Sequence, residues 1–491
     1  MRGRWAAAAA ILSLAGLAAG AAGAGVGATP SAVTVQVDAA HPGPAVNEGL
    51  IGTNQPVAGA GPVISALGPA WGRADLSLDA GYNCATGTWD PTVADQRVQQ
   101  DLAMGTEPEM IIDYSPPCMT SNPLHETLDP PDANGYAPWA NLVEQAAFHE
   151  ITTYGVRVFE VWNEPDGTFW HGTIADYLAM YQATAAAVEK AAARAGVTGV
   201  AVGGPALLFA DPAWLEPFLA YVSANHLPLD FVSWHYYGNY PALGPFFTSG
   251  GTLPPSAPAP YWYNPGTRAQ FYGVQVAQVR AELSRYPDLH PLTVIDEWNI
   301  DAGYDARSDG PYDAAFAAAV LDSVQSAGLD RMAFFRVADD SPHTLGNWGL
   351  LFSNLSPKPV YWTFWLWHQL AGAGLPVSLT PDQTTADPSG RVGAVASRSG
   401  AGAYNVLLYD FAPYDPSGGY GATDPNGFDH RVTVRWTALP KGPWTWSLRI
   451  VDASASADAV AATGKVGLGH AAVDVDLPGE SVALLTLTPA S

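Results

Sequence analysis

The order of apolar runs along these 491 residues predicts an α/β chain, a (β/α)8 barrel with a C-terminal all-β sandwich domain. Two observations carry the barrel. Strand-length apolar runs alternate with longer Ala-rich stretches of helical character, the rhythm of a parallel sheet with crossover helices. Two of these runs, Phe159-Glu160-Val161-Trp162-Asn163-Glu164-Pro165 and Val294-Ile295-Asp296-Glu297-Trp298-Asn299, place a carboxylate where a buried strand should stop. The sandwich rests on a change of texture: from Leu375 onward, alternating strands such as Val473-Asp474-Val475-Asp476-Leu477 are separated by Gly, Pro, Asp and Ser.

The elements follow in order. Residues 1–28 carry Arg2 and Arg4, an Ala/Leu-rich run from Trp5 to Leu17 and small residues up to Ala28, the pattern of a secretory signal peptide cut after Ala28. The alternative is an N-terminal membrane anchor, but Ser13, Gly16 and Gly20 interrupt the apolar stretch. Ser31 to Asp38, within a 29–44 segment, alternates at period two and reads as a half-exposed strand pairing with the sandwich. Eight barrel strands are predicted in 45–374, around Leu50–Asn54, Trp71–Leu76, Glu109–Tyr114, Val156–Trp162, Gly199–Gly203, Asp230–His235, Leu292–Glu297 and Arg331–Val337. Eight is the number that closes a TIM barrel. Between strands, Ile174 to Ala195 puts Tyr177, Tyr181 and Val188 on one helical face, with Gly196 where a C-terminal cap belongs; Asp313 to Gly328 reads the same way. Residues 375–491 form the sandwich.

Charge and cysteine content narrow the function classes. The formal charge of −25 becomes −27 once Arg2 and Arg4 leave with the signal, so nucleic acid and polyanionic glycans should be repelled. The expected location is extracellular. Cys84 and Cys118 are the only cysteines and permit one disulfide; two buried thiols are the alternative. So widely separated a pair, with no nearby His cluster, does not make the ligand spacing of a zinc site. The long aromatic loop Gly238 to Arg268 is a candidate wall of a sugar cleft, or a loop whose rings bury one another. Pro413 to Asp429 reads as a solvated loop, with Ca2+ binding a lesser alternative.

The chemistry that fits two strand-end carboxylates is acetal cleavage. It needs a proton donor for the leaving oxygen and a nucleophile for the anomeric carbon. Glu164 lies among Trp162, Phe169 and Trp170, where burial would raise its pKa and keep it protonated. Glu297 follows Asp296, and strand alternation should send these neighbours to opposite sides. Strands four and seven face each other across a barrel mouth, able to hold two carboxyls at roughly 5 Å.

With Asn163-Glu164-Pro165 at strand four and Glu297 at strand seven, the chain resembles glycoside hydrolase family 39 of clan A, over about Ile51 to Gly374. The resemblance implies Glu164 as acid/base and Glu297 as nucleophile. It further implies that His235, in Ser233-Trp234-His235-Tyr236-Tyr237, contacts the sugar and that Tyr237 hydrogen-bonds the nucleophile. Asn163 would reach the hydroxyl next to the anomeric carbon, and Arg73 would hold the nucleophile ionised through a charge-assisted bond. Trp162 and Trp298, beside the two acids, complete the expected substrate contacts. Asn347 to Leu351 and Lys358 to Tyr361 look like the end of the family's catalytic domain. Asp75 departs from the His that family β-xylosidases commonly carry there, and strand eight (Arg336 to His343) departs from their pattern too.

The reading is therefore a secreted retaining exo-glycosidase for neutral plant or microbial glycans, β-xylosidase-like or arabinofuranosidase-like. No metal or organic cofactor is expected, because carboxylates and water complete the reaction. A uronidase would need a cationic pocket, for which only Arg336 and Arg268 look available. The competing classes are a non-catalytic carbohydrate-binding or surface protein on a degenerate barrel, and an endo-acting exopolysaccharide hydrolase.

Overall fold

The computed structural model describes residues 31–122, 126–132, 135–238, 269–303, 305–341, 346–380, 392–411, 429–454, 456–466 and 472–490. The segment 1–28 and nearly all of the loops 238–268 and 413–429 lie outside them. Eight parallel strands close in sequence order: β1 (Gly52–Asn54), β2 (Trp71–Asp75), β3 (Glu107–Ile112), β4 (Val158–Val161), β5 (Ala201–Leu207), β6 (Phe231–Tyr237), β7 (Leu292–Asn299) and β8 (Arg331–Phe334). β8 returns to pair with β1. These are the eight strands expected from the sequence, with ends displaced by a few residues.

The crossover helices are α1 (Thr92–Met104), α2 (Tyr136–Thr153), α3 (Ile174–Ala195), α4 (Pro212–Asn225), α5 (Gln270–Leu283), α6 (Pro311–Ala327) and α7 (Pro359–His368). α3 begins with a reciprocal cap. Thr173 Oγ1 accepts the Asp176 N–H at 3.3 Å and the Asp176 carboxylate accepts the Thr173 N–H at 2.8 Å. It ends at Gly196, whose φ of +67° suits a residue without Cβ. Tyr177 lies on its buried face and donates its hydroxyl to the Val161 carbonyl at 2.8 Å, tying the helix to the end of β4.

Strand parity fills the barrel interior in layers. At the floor, Trp71, Val158, Phe231, Val294 and Ala333 form an apolar plug. Two positions further along, the same faces present Arg73, Glu160, Ser233 and Asp296, joined by Glu109 from β3, all at most 1 % exposed. A barrel is thus dry and apolar below and charged above. That ordering sends the chemistry to the carboxyl ends of the strands.

Behind the barrel, two sheets form a sandwich. Ser31–Asp38 lies in the four-stranded sheet, antiparallel to Val377–Thr380 and parallel to His430–Thr437, with Ala472–Leu477 at its edge. Its alternation resolves as Val33, Val35 and Val37 buried against Val406, Leu408 and Leu485 of the six-stranded sheet. The other face of the six-stranded sheet packs on the barrel through Val395, Leu407, Tyr409 and Leu484. There Tyr409 donates its hydroxyl to Asp322 at 2.7 Å, and Phe411 meets Tyr312 and Phe316. Helix α6 lies between strands and sandwich, which explains why Ala314, Ala315, Ala317, Ala318 and Ala319 are all buried: small side chains let it pack on several sides. Cys84 and Cys118 are joined in a disulfide.

Candidate active site

At the centre stands Arg73, fully buried on β2. Its guanidinium donates through Nε to Glu160 Oε2 at 2.7 Å, through Nη1 to Glu297 Oε2 at 3.2 Å and through Nη2 to Asn163 Oδ1 at 2.9 Å. One rigid fork therefore sets three side chains from β4 and β7. Tyr237 donates its hydroxyl to the other Glu297 oxygen at 2.5 Å. His235 Nδ1 lies 2.8 Å from Glu164 Oε1 and 3.8 Å from Glu297 Oε2. Carboxylate oxygens of Glu164 and Glu297 lie within 4.8 Å of each other.

The two acids sit in different surroundings. Burial pushes the Glu164 carboxyl up to about 7, opposed only by the charge of Arg73. Burial and the neighbouring Glu164 raise Glu297, but the Arg73 charge and the Tyr237 hydrogen bond oppose that rise. Glu164 is the acid that keeps its proton near neutrality. His235, pushed down to about 4 chiefly by burial, is neutral and can accept from Glu164 or donate to it, according to tautomer.

The strand that carries the nucleophile candidate departs from alternation. Pairing with β6 runs Ile295 with Trp234 and then Glu297 with His235, so an extra residue bulges at Asp296. In consequence Asp296 and Glu297 both face the interior, which corrects the expectation that the pair points to opposite sides. Asp296 Oδ1 lies 3.5 Å from His235 Nε2, and its Oδ2 lies 3.7 Å from Arg73 Nε. Burial, and then the Glu160 charge, push the Asp296 carboxyl well above its usual range, against the opposing charge of Arg73. Burial works against Glu160's charge too, yet Arg73 and the hydrogen bond from Ser233 hold that carboxyl below its usual range.

The same bulge turns Trp298 outward. Its indole is buried among Tyr272, Phe316, Phe334 and Phe364 on the helix side of the sheet, so it cannot serve as a substrate contact. Trp162 is likewise removed from the mouth. Its φ of +73° breaks strand parity after Val161, and the ring packs against Tyr114, Trp139 and Trp170 while Nε1 donates to the Phe169 carbonyl. Both tryptophans build walls behind the acids.

Sequence reasoning missed the buried layer of Glu109, Glu160 and Asp296. The signal was available: a carboxylate inside an apolar strand, at the parity of Arg73 or Ser233, has nowhere to go but the barrel interior. These three acids lie close enough to share a cation, but Arg73 sits among them and supplies that charge. Tyr114, partly exposed, hydrogen-bonds Asn163 and was also missed. Asp75, the departure from the resembled family noted in the sequence, accepts from Gln55 Nε2 at 3.0 Å and pairs with Arg97 at 3.6 Å. Arg336 is engaged by Asp340, and Arg268 lies outside the described residues.

Comparison with known proteins decides the family. The profile described as "Glycosyl hydrolases family 39" matches residues 102–408. The chain belongs to glycosyl hydrolase family 39. A curated relative, the "Beta-xylosidase" of Caldicellulosiruptor saccharolyticus, is 29 % identical over 307 residues, 58 % of this chain and 58 % of that protein. The match thus spans little more than half the length of the relative. Among solved structures, the GH39 enzyme from Xanthomonas axonopodis pv. citri superposes with a TM-score of 0.72 at 21 % identity, covering 95 % of this chain and 98 % of that one. A monomeric beta-xylosidase from Caulobacter crescentus CB15 gives 0.71 at 20 % identity, over 93 % and 100 %. These likenesses span barrel and sandwich together, so this family 39 chain shares the two-part fold and not the barrel alone.

Proposed function

We propose that the chain is a secreted, retaining exo-glycosidase acting on neutral plant or microbial glycans, β-xylosidase-like or arabinofuranosidase-like, with Glu164 as acid/base and Glu297 as nucleophile. The observation that carries this reading is the close, unequal pair: carboxylate oxygens within 4.8 Å, one acid with its pKa raised to about 7 and the other bonded by Arg73 and Tyr237. Retaining enzymes hold their carboxyls about 5 Å apart, whereas inverting ones leave room for a water.

In this mechanism Glu164 gives its proton to the glycosidic oxygen as that bond breaks. A Glu297 oxygen forms a bond to the anomeric carbon, making a glycosyl ester with no net change of charge on the pair. Water then enters, Glu164 takes its proton, oxygen bonds to the anomeric carbon and the ester bond returns its electrons to Glu297. Asn163, its Oδ1 fixed by Arg73 and its amide shared with Tyr114, has one amide N–H to offer a sugar hydroxyl. The matched relatives named β-xylosidases support the neutral-pentose reading, and Arg336 paired with Asp340 does not supply the free cation that a uronate would need. Export is supported by the character of residues 1–28 and by the disulfide.

The test is hydrolysis of a panel of aryl pyranosides and furanosides by the wild type beside Glu297→Ala. Turnover of one glycoside, lost on substitution and restored by azide with a glycosyl azide of inverted configuration, is the expected outcome. Turnover unaffected by the substitution overturns the assignment.

A further inference from the structure

On the outer surface of the barrel, α1 and α2 bring together three groups that the reaction does not use. Asp95 lies in the first turn of α1; His149 and Glu150 lie near the end of α2. One donor atom from each falls within 4.8 Å of the others, although 54 positions separate Asp95 from His149. The Glu150 side chain is fully buried and neither of its carboxylate oxygens accepts a hydrogen bond. Among the described residues the only charge that acts on it is that of Asp95, which is repulsive.

A buried carboxyl without a partner is costly, and native proteins keep such a group for a reason. Among the described residues no lysine or arginine charge acts on it, but an imidazole lies beside it. His149 Nε2 faces Asp95 Oδ1 at 2.7 Å, and its Nδ1 lies 3.5 Å from Thr153 Oγ1, an orienting contact of the kind metal-bound imidazoles make. Trp89 and Tyr154 close edge-on around the ring at 5.7 and 6.1 Å. The Asp95 and His149 side chains remain 25 and 30 % exposed, so the group opens to solvent on one side.

We propose that Asp95, His149 and Glu150 form a binding site for a borderline divalent transition metal, Zn2+ in the first instance, clamping α1 to α2 with solvent completing the coordination. Two carboxylate oxygens and an imidazole nitrogen are ligands that Zn2+ accepts, and the imidazole selects against Ca2+ and Mg2+. The site is structural and lies apart from Glu164 and Glu297. It revises the expectation of a metal-free protein, because the cluster exists in space and not in sequence spacing.

The experiment titrates ZnCl2 into chelator-treated, full-length protein, followed by calorimetry and thermal melting. The expected result is one saturable Zn2+ per chain and a rise in Tm. Glu150→Gln and the exposed-side Asp95→Asn should each weaken binding at least tenfold and remove the Tm rise. Glu164→Gln, which breaks the His/carboxylate group at the active site, should leave both intact. Absence of saturable binding, binding that persists in Glu150→Gln and Asp95→Asn, or binding lost in Glu164→Gln each overturns the proposal.

Discussion

At the scale of single residues, the division of labour proposed for Glu164 and Glu297 rests on who faces each carboxyl. Tyr237 illustrates it. Its 2.5 Å hydrogen bond favours ionised Glu297, so Tyr237→Phe should raise the nucleophile's pKa and move the acid limb of the kcat/KM profile to higher pH. A loss of about 10- to 100-fold in kcat should accompany the shift, the order expected when one charge-stabilising donor is removed. The basic limb belongs to Glu164, pushed up by burial to about 7, and kcat/KM should fall as pH rises through that value. An activity profile flat from pH 6 to pH 9 would deny Glu164 that role. Residue identity at strand ends was legible because Asn163-Glu164-Pro165 and Glu297 are local patterns. Asp296 was not, because its direction depends on a bulge that local alternation does not announce.

At the scale of elements, β7 shows how one inserted residue redistributes function. Its bulge brings a second acid inward and hands Trp298 to the packing between sheet and helices. Trp298→Ala should therefore cost about 3 to 5 kcal/mol of stability, as large aromatic truncations in cores do. The variant's KM at a temperature where it remains folded should match the wild type. A specific rise in KM without loss of Tm would restore Trp298 to the substrate. The eight strands and the bounds of α3 were readable because hydrophobic period, cap chemistry and Gly196 agree with one another. Bulges and positive φ angles, as at Trp162 and Glu164, are tertiary compromises that no period encodes.

At the scale of the whole molecule, buried acids set the pH range in which the fold is strongest. Burial raises Asp101 and Asp166 to about 8 and Glu164 to about 7, all above their unfolded values near 4. Between those limits the folded state binds more protons than the unfolded one, so stability falls as pH rises through the window. The net charge of −25 acts in the same direction, since self-repulsion grows as acids ionise. Tm should be higher at pH 5.5 than at pH 8.5, with low ionic strength widening the gap; the reverse order would mean that these acids are ionised in the fold. The two-part architecture was also legible, because texture changes at Leu375. That the sandwich presses on an Ala-rich α6 was not, since a helix with several buried faces looks in sequence like an ordinary good helix former.

Two unequal carboxyls held close across the barrel mouth dictate the stereochemistry of the first-formed sugar. Proton NMR of the reaction in its first minutes, before mutarotation, should show the released sugar with the anomeric configuration of the substrate, as double displacement through Glu297 requires. Release of the opposite anomer would mean that water, not Glu297, attacks the anomeric carbon, and would contradict the mechanism.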